Sequence, residues 1–217
     1  MNGSEAMKDD SVRNTRRTKM LISGSLTILA AVLALAARRP WNGVAALAMA
    51  VSSMGDGLLA GYPGCFRAVR DRLIKGGAIF LIAHWLYILA LVLASGREFG
   101  QLLSGFWLPA FVFTVLTLLI GCLFVTRSSA RHPRSFIAAA MVYLLTVGLH
   151  CAMAVCVFRE TDGHFALNVA GALLFYLSDT ILLSRQFMVI GEKYGDALIW
   201  LTYVPAQFCL ILGFFLA

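Results

Sequence analysis

Residues 104–125, SGFWLPAFVFTVLTLLIGCLFV, form an apolar segment without a charged side chain. A helix of about 20 such residues crosses the roughly 30 Å of hydrocarbon in a bilayer. Because backbone groups in lipid must be hydrogen-bonded within the span, the segment is predicted to be a helix. Six further segments have similar length and character, at residues 20–37, 43–61, 74–94, 135–158, 165–184 and 197–217. We therefore predict an all-α, polytopic transmembrane bundle of seven helices.

The composition agrees with a membrane protein. The chain has 217 residues, of which 60% are hydrophobic and 13% charged, and its mean hydropathy is +0.82. Such a chain cannot bury its apolar surface in one water-soluble core. Residues 1–18 are polar and are predicted to be a disordered cytoplasmic tail, with residues 19–217 forming a single transmembrane domain. The residues from Arg38 to Asn42 leave only a tight turn between the first two helices.

The basic residues indicate the orientation of the chain. Its net charge is +7, but Lys and Arg occur in short clusters between spans instead of on one face, so nucleic acid is not an expected partner. The N-terminal segment and the second, fourth and sixth loops hold fourteen of the eighteen Lys and Arg. The positive-inside rule places these on the cytoplasmic side and the C-terminus on the opposite side. We expect a multi-pass protein of a bacterial inner membrane or an endoplasmic reticulum.

Two acidic residues, Asp56 and Asp179, lie inside the apolar spans. A charged residue at membrane depth costs roughly 3 kcal/mol on insertion scales, and it usually has a function. Each aspartate precedes the predicted cytoplasmic end of its helix by about five residues, which corresponds to a depth of about 8 Å. We predict that the pair is catalytic or binds a ligand. Structural hydrogen bonding between helices is the alternative.

Other polar side chains are predicted to share this depth. Helices 3, 5 and 7 run opposite to helices 2 and 6, and they place five polar residues in the inner half or near the midplane: His84, Tyr87, Tyr143, Tyr203 and Gln207. We predict that they orient water or substrate around the aspartates, although tyrosines also occur as packing and interfacial residues. His150, on an apolar helix, is expected to be satisfied by packing against polar groups.

The two aspartates occur in related contexts. Residues 54–59, MGDGLL, and residues 177–182, LSDTIL, are each followed by a basic loop and a helix with a polar pair. Helices 1–3 and 5–7 are therefore candidates for parallel repeats bridged by helix 4, a 3+1+3 plan. Chance similarity between two apolar helices is an equal alternative. Gly57 and Gly61 form a G-x-x-x-G pair that is expected to let helices approach closely.

Four signatures in this order resemble one family. Residues 55–56 are Gly-Asp, and residues 83–87, AHWLY, resemble the motif A-H-L-L-Y. Residues 171–179, GALLFYLSD, resemble G-A-L-L-F-x-x-S-D, and residues 202–207, TYVPAQ, resemble T-Y-Y-x-A-Q. The set, spread over residues 19–213, resembles the YhhN-like lysoplasmalogenases. Residues 18–20, TKM, are similar to that family's T-K-P-L without its proline, and the family usually has an additional N-terminal helix.

The resemblance implies an activity and a substrate. Such proteins hydrolyse the vinyl-ether bond of lysoplasmalogens, a class of lysophospholipid, to a fatty aldehyde and glycerophosphoethanolamine or glycerophosphocholine. No cofactor is expected, because the reaction begins with protonation of the alkenyl carbon and needs one carboxyl as an acid and a second as an anion, as in glycoside hydrolysis. We favour Asp179 as the acid and Asp56 as the base, and a cation such as Lys19 would help to hold the base ionised.

Two other function classes stay open at this point. A metal-dependent membrane hydrolase would use His84, His150, Asp56 and Asp179 as zinc ligands, although neither H-x-x-x-H nor H-E-x-x-H spacing is present. A small proton-coupled transporter would also place acids near the midplane. A retinal-binding protein is excluded, because its Schiff base needs a lysine within the last helix and helix 7 has none. The sequence indicates no oligomeric state.

Overall fold

Seven α-helices make up the part of the chain that the structure describes. The structure is a computed structural model that describes residues 3–61, 69–128, 133–187 and 192–217. Within these ranges it contains no strand. The all-α prediction and the number of helices are confirmed. In chain order the helices are α1 (Gly3–Ala37), α2 (Pro40–Leu59), α3 (Val69–Ser95), α4 (Phe99–Ser128), α5 (Arg134–Glu160), α6 (Ala166–Gln186) and α7 (Glu192–Leu216).

Most of these helices can cross a bilayer. Among the described residues, six helices are long and apolar enough by length and composition, and α2 is not among them. The α2 helix has 20 residues, but Ser52, Ser53 and Asp56 lower its mean hydropathy. The chain is thus an integral, multi-pass membrane protein, and the helix outside this set of six carries one of the two aspartates.

The start of the chain differs from the expectation. The α1 helix begins at Gly3, so most of the segment that was predicted to be a disordered tail is helical backbone. The segment contains no proline and several good helix formers, which permits the helix to continue beyond its apolar part. The apolar part itself is Arg17–Ala37. The division of the chain into a tail and one membrane domain stays a prediction.

The turn between α1 and α2 is as tight as predicted. Arg38 adopts a φ of 53°, and Arg39 is the extended residue before α2. Pro40 then occupies the first turn of α2, where its missing N–H costs no hydrogen bond. The chain therefore reverses direction within two residues, which keeps α1 and α2 side by side.

The helices pack in a ring. Packing runs from α1 to α2, from α2 to α3, from α3 to α5, from α5 to α6 and from α6 to α7, and α7 returns to α1 and α2. The remaining helix, α4, packs on α5. The ring can be compared with itself by exchanging α1, α2 and α3 with α5, α6 and α7, in that order. Each pair of neighbouring helices then corresponds to another neighbouring pair. Any closed ring of six helices in chain order has this property, so the 3+1+3 plan stays a prediction.

Small residues set the spacing within the close pairs α2/α3 and α6/α7. A Cβ on Gly76 would lie 2.8 Å from the Cδ2 atom of Leu59. A Cβ on Gly171 would lie 2.9 Å from the backbone carbonyl oxygen of Ala206. A Cβ at Gly171 would meet backbone atoms, so the α6/α7 pair depends on glycine for its close approach, whereas at Gly76 the Leu59 side chain would have to shift.

The predicted G-x-x-x-G face is wrong. The α2 helix ends at Leu59, and Gly61 lies beyond it with a φ of 87°. A Cβ on Gly57 would make only an ordinary contact, 3.6 Å from the Cε atom of Met20. Because the helix ends between the two glycines, they cannot form one continuous face.

We predict that Gly171→Ala destabilises the protein by about 1–3 kcal/mol, because the added methyl group forces α6 away from α7. The free energy of unfolding in detergent micelles measures the effect. Gly43→Ala is the matched control, since a Cβ at this position in α2 meets nothing within 4 Å. Equal stability of the two variants would contradict the close approach of α6 and α7.

Candidate active site

Asp56 is held by hydroxyl groups from two other helices. It is buried on α2. The Oγ atom of Ser23 on α1 donates to its Oδ2 atom at 2.5 Å, and the Oη atom of Tyr203 on α7 donates to the same oxygen at 2.7 Å. Hydrogen bonds of this kind are strongest when the acceptor is ionised. The surroundings of the Asp56 carboxyl therefore favour its role as a hydrogen-bond acceptor.

The hydrogen bonds at Asp56 continue into the bundle. The Nε2 atom of Gln207 donates to the Oη atom of Tyr203 at 3.0 Å, and the Oη atom of Tyr87 donates to the Oε1 atom of Gln207 at 2.8 Å. Tyr203 and Gln207 are four residues apart, so they lie on one face of α7. Four of the predicted site residues thus form one continuous network that ends at Asp56.

Asp179 has a separate set of neighbours. The Oη atom of Tyr143 on α5 donates to its Oδ2 atom at 2.6 Å. The Nε2 atom of His84 on α3 lies 3.8 Å from the same oxygen. Asp179 is buried, as are both neighbours. The second carboxyl is therefore also positioned by side chains from two other helices.

A pair of histidines lies behind Asp179. The Nδ1 atoms of His84 and His150 are 3.1 Å apart, and both side chains are fully buried. A hydrogen bond between two ring nitrogens needs one donor and one acceptor, so one of the two Nδ1 atoms carries no proton. We expected His150 to be satisfied by polar groups packed around it. Its partner is His84, which is itself a predicted site residue.

Each aspartate and the side chains that contact it form one centre. The two centres correspond to each other when the half α1–α3 is exchanged with the half α5–α7. Asp56 on α2 is contacted from α1 by Ser23 and from α7 by Tyr203. Asp179 on α6 is contacted from α5 by Tyr143, and His84 approaches it from α3. Each aspartate therefore interacts with the first helix of its own half and the third helix of the other half. Neither half could build a centre alone.

Aromatic rings connect the two centres. The ring centroid of Phe175 lies 5.3 Å from that of Tyr203 and 4.5 Å from that of His84. The ring of Tyr87 stacks on His150 at 5.5 Å, while its hydroxyl belongs to the Asp56 network. A contiguous set of packed rings therefore joins the two centres.

Asp179 also borders an apolar cavity. The cavity has a volume of 320 Å³, and Tyr143 and Asp179 are the polar members of its lining. The other lining side chains come from the end of α2 and from α3, α5 and α6. Asp179 consequently lies at the boundary between a hydrogen-bond network and a hydrocarbon-like space.

Lys19 lies beside the site. Its Nζ atom is 5.0 Å from the ring centroid of Trp200, and this ring is 5.6 Å from that of Tyr203. The ammonium group thus interacts with a π face next to the Asp56 network. All eight candidate residues from the sequence lie in the two centres or next to them.

Sequence reasoning missed Ser23 and gave His150 a role only as a ligand in the zinc alternative. Ser23 follows Lys19 by one helical turn and lies on the same face of α1, at the predicted depth of the aspartates. His150 follows Tyr143 by seven residues, so the two share a face of α5. Helical periodicity from residues already selected could have found both.

The described part of the chain offers no group of three His, Cys, Asp or Glu side chains placed to hold a metal ion. The four proposed zinc ligands are divided between the two centres, with Asp56 in one and the remaining three in the other. The arrangement therefore gives no geometric support to the zinc alternative.

We predict that the two histidines are energetically coupled. His150→Phe would leave the Nδ1 atom of His84 buried without its partner, which costs about 1–3 kcal/mol. The double variant His84→Phe/His150→Phe removes both polar groups, so it should be less destabilised than the sum of the single variants. A double-mutant cycle on the free energy of unfolding measures the coupling. Additive effects would contradict the contact.

Comparison with known proteins identifies the family of this chain. The model of the YhhN family matches residues 16–214. No curated protein and no solved structure gives a match. The matched range includes both aspartates together with Ser23, His84, Tyr143 and Tyr203. The chain belongs to the YhhN family.

Proposed function

We propose that this protein is a lysoplasmalogenase that hydrolyses the vinyl-ether bond of a single-chain lysophospholipid. Membership of the YhhN family is consistent with a hydrolase. The observation that carries the proposal is the pair of buried carboxyls, each of which accepts a hydrogen bond from a tyrosine, with Asp179 also lining an apolar cavity. The reaction needs an acid and an anion that face a largely apolar substrate.

The first step is proton transfer from Asp179 to carbon. Its protonated carboxyl donates to the alkenyl carbon distal to the ether oxygen, and the electron pair of the double bond forms the new C–H bond. The resulting oxocarbenium ion has its positive charge between the ether oxygen and the adjacent carbon. Asp179 suits this step, because its carboxyl borders an apolar cavity.

The second step is addition of water. Water attacks the carbon next to the ether oxygen while the carboxylate of Asp56 accepts its proton, which gives a hemiacetal. Two hydroxyl groups donate to one oxygen of Asp56, an arrangement that suits a carboxylate, since only an acceptor is required there. General-base assistance of this kind parallels glycoside hydrolysis.

The hemiacetal then divides, and both aspartates return to their starting states. Its hydroxyl proton passes to the carboxylate of Asp179, and the C–O bond to glycerol breaks as the aldehyde forms. The carboxylic acid of Asp56 protonates the departing glycerol oxygen. The cycle consumes one water molecule and no net proton, so no cofactor or co-reactant is needed.

The remaining polar side chains orient the reactants. Tyr203, Gln207 and Tyr87 form the chain of hydrogen bonds behind Asp56, and we assign to them the positioning of water or the glycerol oxygen. Tyr143 and His84 position Asp179. Lys19 lies at the predicted cytoplasmic end of α1, where its charge attracts the phosphate of the headgroup.

We predict that Asp56→Asn and Asp179→Asn each lower the rate of aldehyde release by about 10²–10⁴-fold, the usual contribution of a general acid or base. A coupled aldehyde dehydrogenase assay in detergent measures the rate. Asp162→Asn is the matched control, because Asp162 is exposed in the α5–α6 turn with a φ of 52°, which asparagine also tolerates. Wild-type activity of either buried variant, folded by its thermal transition, would contradict the mechanism.

We also predict selectivity for the vinyl ether and resistance to a chelator. The ester analogue offers no alkenyl carbon to protonate, so it should release no product under conditions in which the vinyl ether is consumed. Aldehyde and fatty-acid release, with and without a chelator, measure both properties. Loss of activity in chelator would favour the metal-dependent hydrolase, and no aldehyde from folded wild type would favour transport.

A further inference from the structure

We infer that His150 is a positioning residue that acts on the acid, Asp179, through His84. Its Nδ1–H group donates to the Nδ1 atom of His84, and this hydrogen bond keeps the ring proton of His84 on Nε2, the atom that faces Asp179. The inference rests on the proposed function, whose steps do not use His150. The two rings come from α3 and α5, and their Nδ1 atoms are 3.1 Å apart.

The contact between the two rings permits two arrangements of protons. A neutral imidazole carries one N–H, and the hydrogen bond at one nitrogen decides whether the proton is on the other. Either His150 donates and the Nε2 atom of His84 carries a proton, or His84 donates and its Nε2 atom is bare. Both rings are neutral in either arrangement, because Asp179 is neutral at the start of the proposed cycle and a cationic ring would be a buried charge without a counter-ion.

The surroundings of the pair favour the first arrangement. Tyr143 donates to the Oδ2 atom of Asp179 at 2.6 Å, and the Nε2 atom of His84 lies 3.8 Å from the same oxygen. A bare Nε2 atom would set its lone pair against this acceptor, whereas an N–H group is attracted to it. The Nε2 atom of His150 has no hydrogen-bond partner among the described residues. In the second arrangement it would carry a buried proton that nothing accepts, so both outer nitrogens would be mismatched.

Packing keeps the two rings in this orientation. The ring of Tyr87 stacks on His150 with centroids 5.5 Å apart and an interplanar angle of 5°. The ring of Phe175 packs edge-on against His84, with centroids 4.5 Å apart. Rotation of either imidazole by half a turn would replace Nδ1 with a carbon atom and break the hydrogen bond. The surrounding aromatic rings therefore favour a lasting contact between the two Nδ1 atoms.

The arrangement assists the proton transfer from Asp179 to carbon. Both polar contacts are to Oδ2, so the acidic proton belongs on Oδ1. As this proton leaves, negative charge develops on the carboxyl, and the N–H group of His84 stabilises it together with the hydroxyl of Tyr143. The distance of 3.8 Å is longer than a hydrogen bond, so the contact is weak before the reaction and can shorten during it. An interaction that strengthens in the transition state raises kcat.

The role is that of an orienting group, and no proton moves between the two histidines. In the Ser-His-Asp triad a buried aspartate likewise fixes the tautomer of a histidine, and a change that reverses the tautomer lowers kcat by about 10⁴-fold. Here a second histidine is the orienting group.

The first test is kinetic. His150→Phe should lower kcat for aldehyde release about 10–10²-fold, less than the roughly 10²–10³-fold cost of losing a direct donor to a developing charge. KM should not change, because His150 acts only as the charge forms. His150→Asn should recover most of the lost rate, since its amide can still donate to the Nδ1 atom of His84. An unchanged kcat in His150→Phe, or an equal loss in both variants, would overturn the inference.

Thr146→Val is the matched control for this test. Thr146 is buried one turn before His150 on α5, and its hydroxyl donates to the backbone carbonyl oxygen of Val142. The variant therefore removes a buried polar group from the same region of the helix without changing the donor to His84, and kcat should match that of wild type. A loss equal to that of His150→Phe would show that any disturbance of α5 has this effect and would overturn the inference.

The second test observes the ring protons in full-length wild type and needs no activity. The chain has four histidines, so histidine-selective ¹⁵N labelling in micelles gives few ring signals, which His132→Gln, His164→Gln and His150→Asn assign. Two-bond ¹H–¹⁵N correlations distinguish an N–H group, a bare nitrogen and an imidazolium. We expect a proton on Nε2 of His84 and on Nδ1 of His150, with a coupling between the two Nδ1 atoms. A bare Nε2 atom or an imidazolium at His84 would overturn the inference.

The two tests separate failure of the inference from failure of the enzyme. If wild type releases aldehyde but the Nε2 atom of His84 is bare, the role of His150 is overturned and the hydrolase proposal stands. If wild type releases no aldehyde but the ring protons are as expected, the tautomer assignment stands, and the hydrolase proposal fails together with the catalytic use of the pair.

Discussion

Burial of two carboxyl groups at membrane depth is the constraint on which the rest of the structure depends. In hydrocarbon neither aspartate can rely on bulk water, so each needs hydrogen-bond donors from the protein. A helix uses its own backbone groups internally, and the donors must therefore be side chains from neighbouring helices. Asp56 uses Ser23 and Tyr203, and Asp179 uses Tyr143. These contacts link α1 and α7 to α2, and α5 to α6.

The same constraint places reactive groups next to an apolar space. Donors surround Asp56, whereas Asp179 has a donor on one side and the lipid-facing cavity on the other. Two carboxyls of identical chemistry thus occupy different surroundings, as the proposed division into an acid and a base requires. The rings of Phe175 and Tyr87 contact both centres and keep their relative position.

The repeat suggested by two short similar segments stays a prediction, although the contacts of the two aspartates follow it. A match between MGDGLL and LSDTIL alone cannot distinguish duplication from chance. The helix pairing and the contacts of the two aspartates both follow the exchange of α1–α3 with α5–α7. The partner residues differ, since serine in one half corresponds to tyrosine in the other.

The sequence by itself determined the helical, membrane-spanning fold, because hydropathy and span length depend only on local composition. It also selected both aspartates and their depth, since an acidic residue is conspicuous in an apolar span. Only the tertiary structure decided which donor serves which aspartate, that His150 pairs with His84, and that Gly76 and Gly171 provide the close approaches instead of Gly57 and Gly61. Those outcomes depend on rotation and distance between helices that are remote in sequence, and one helix's periodicity does not encode them.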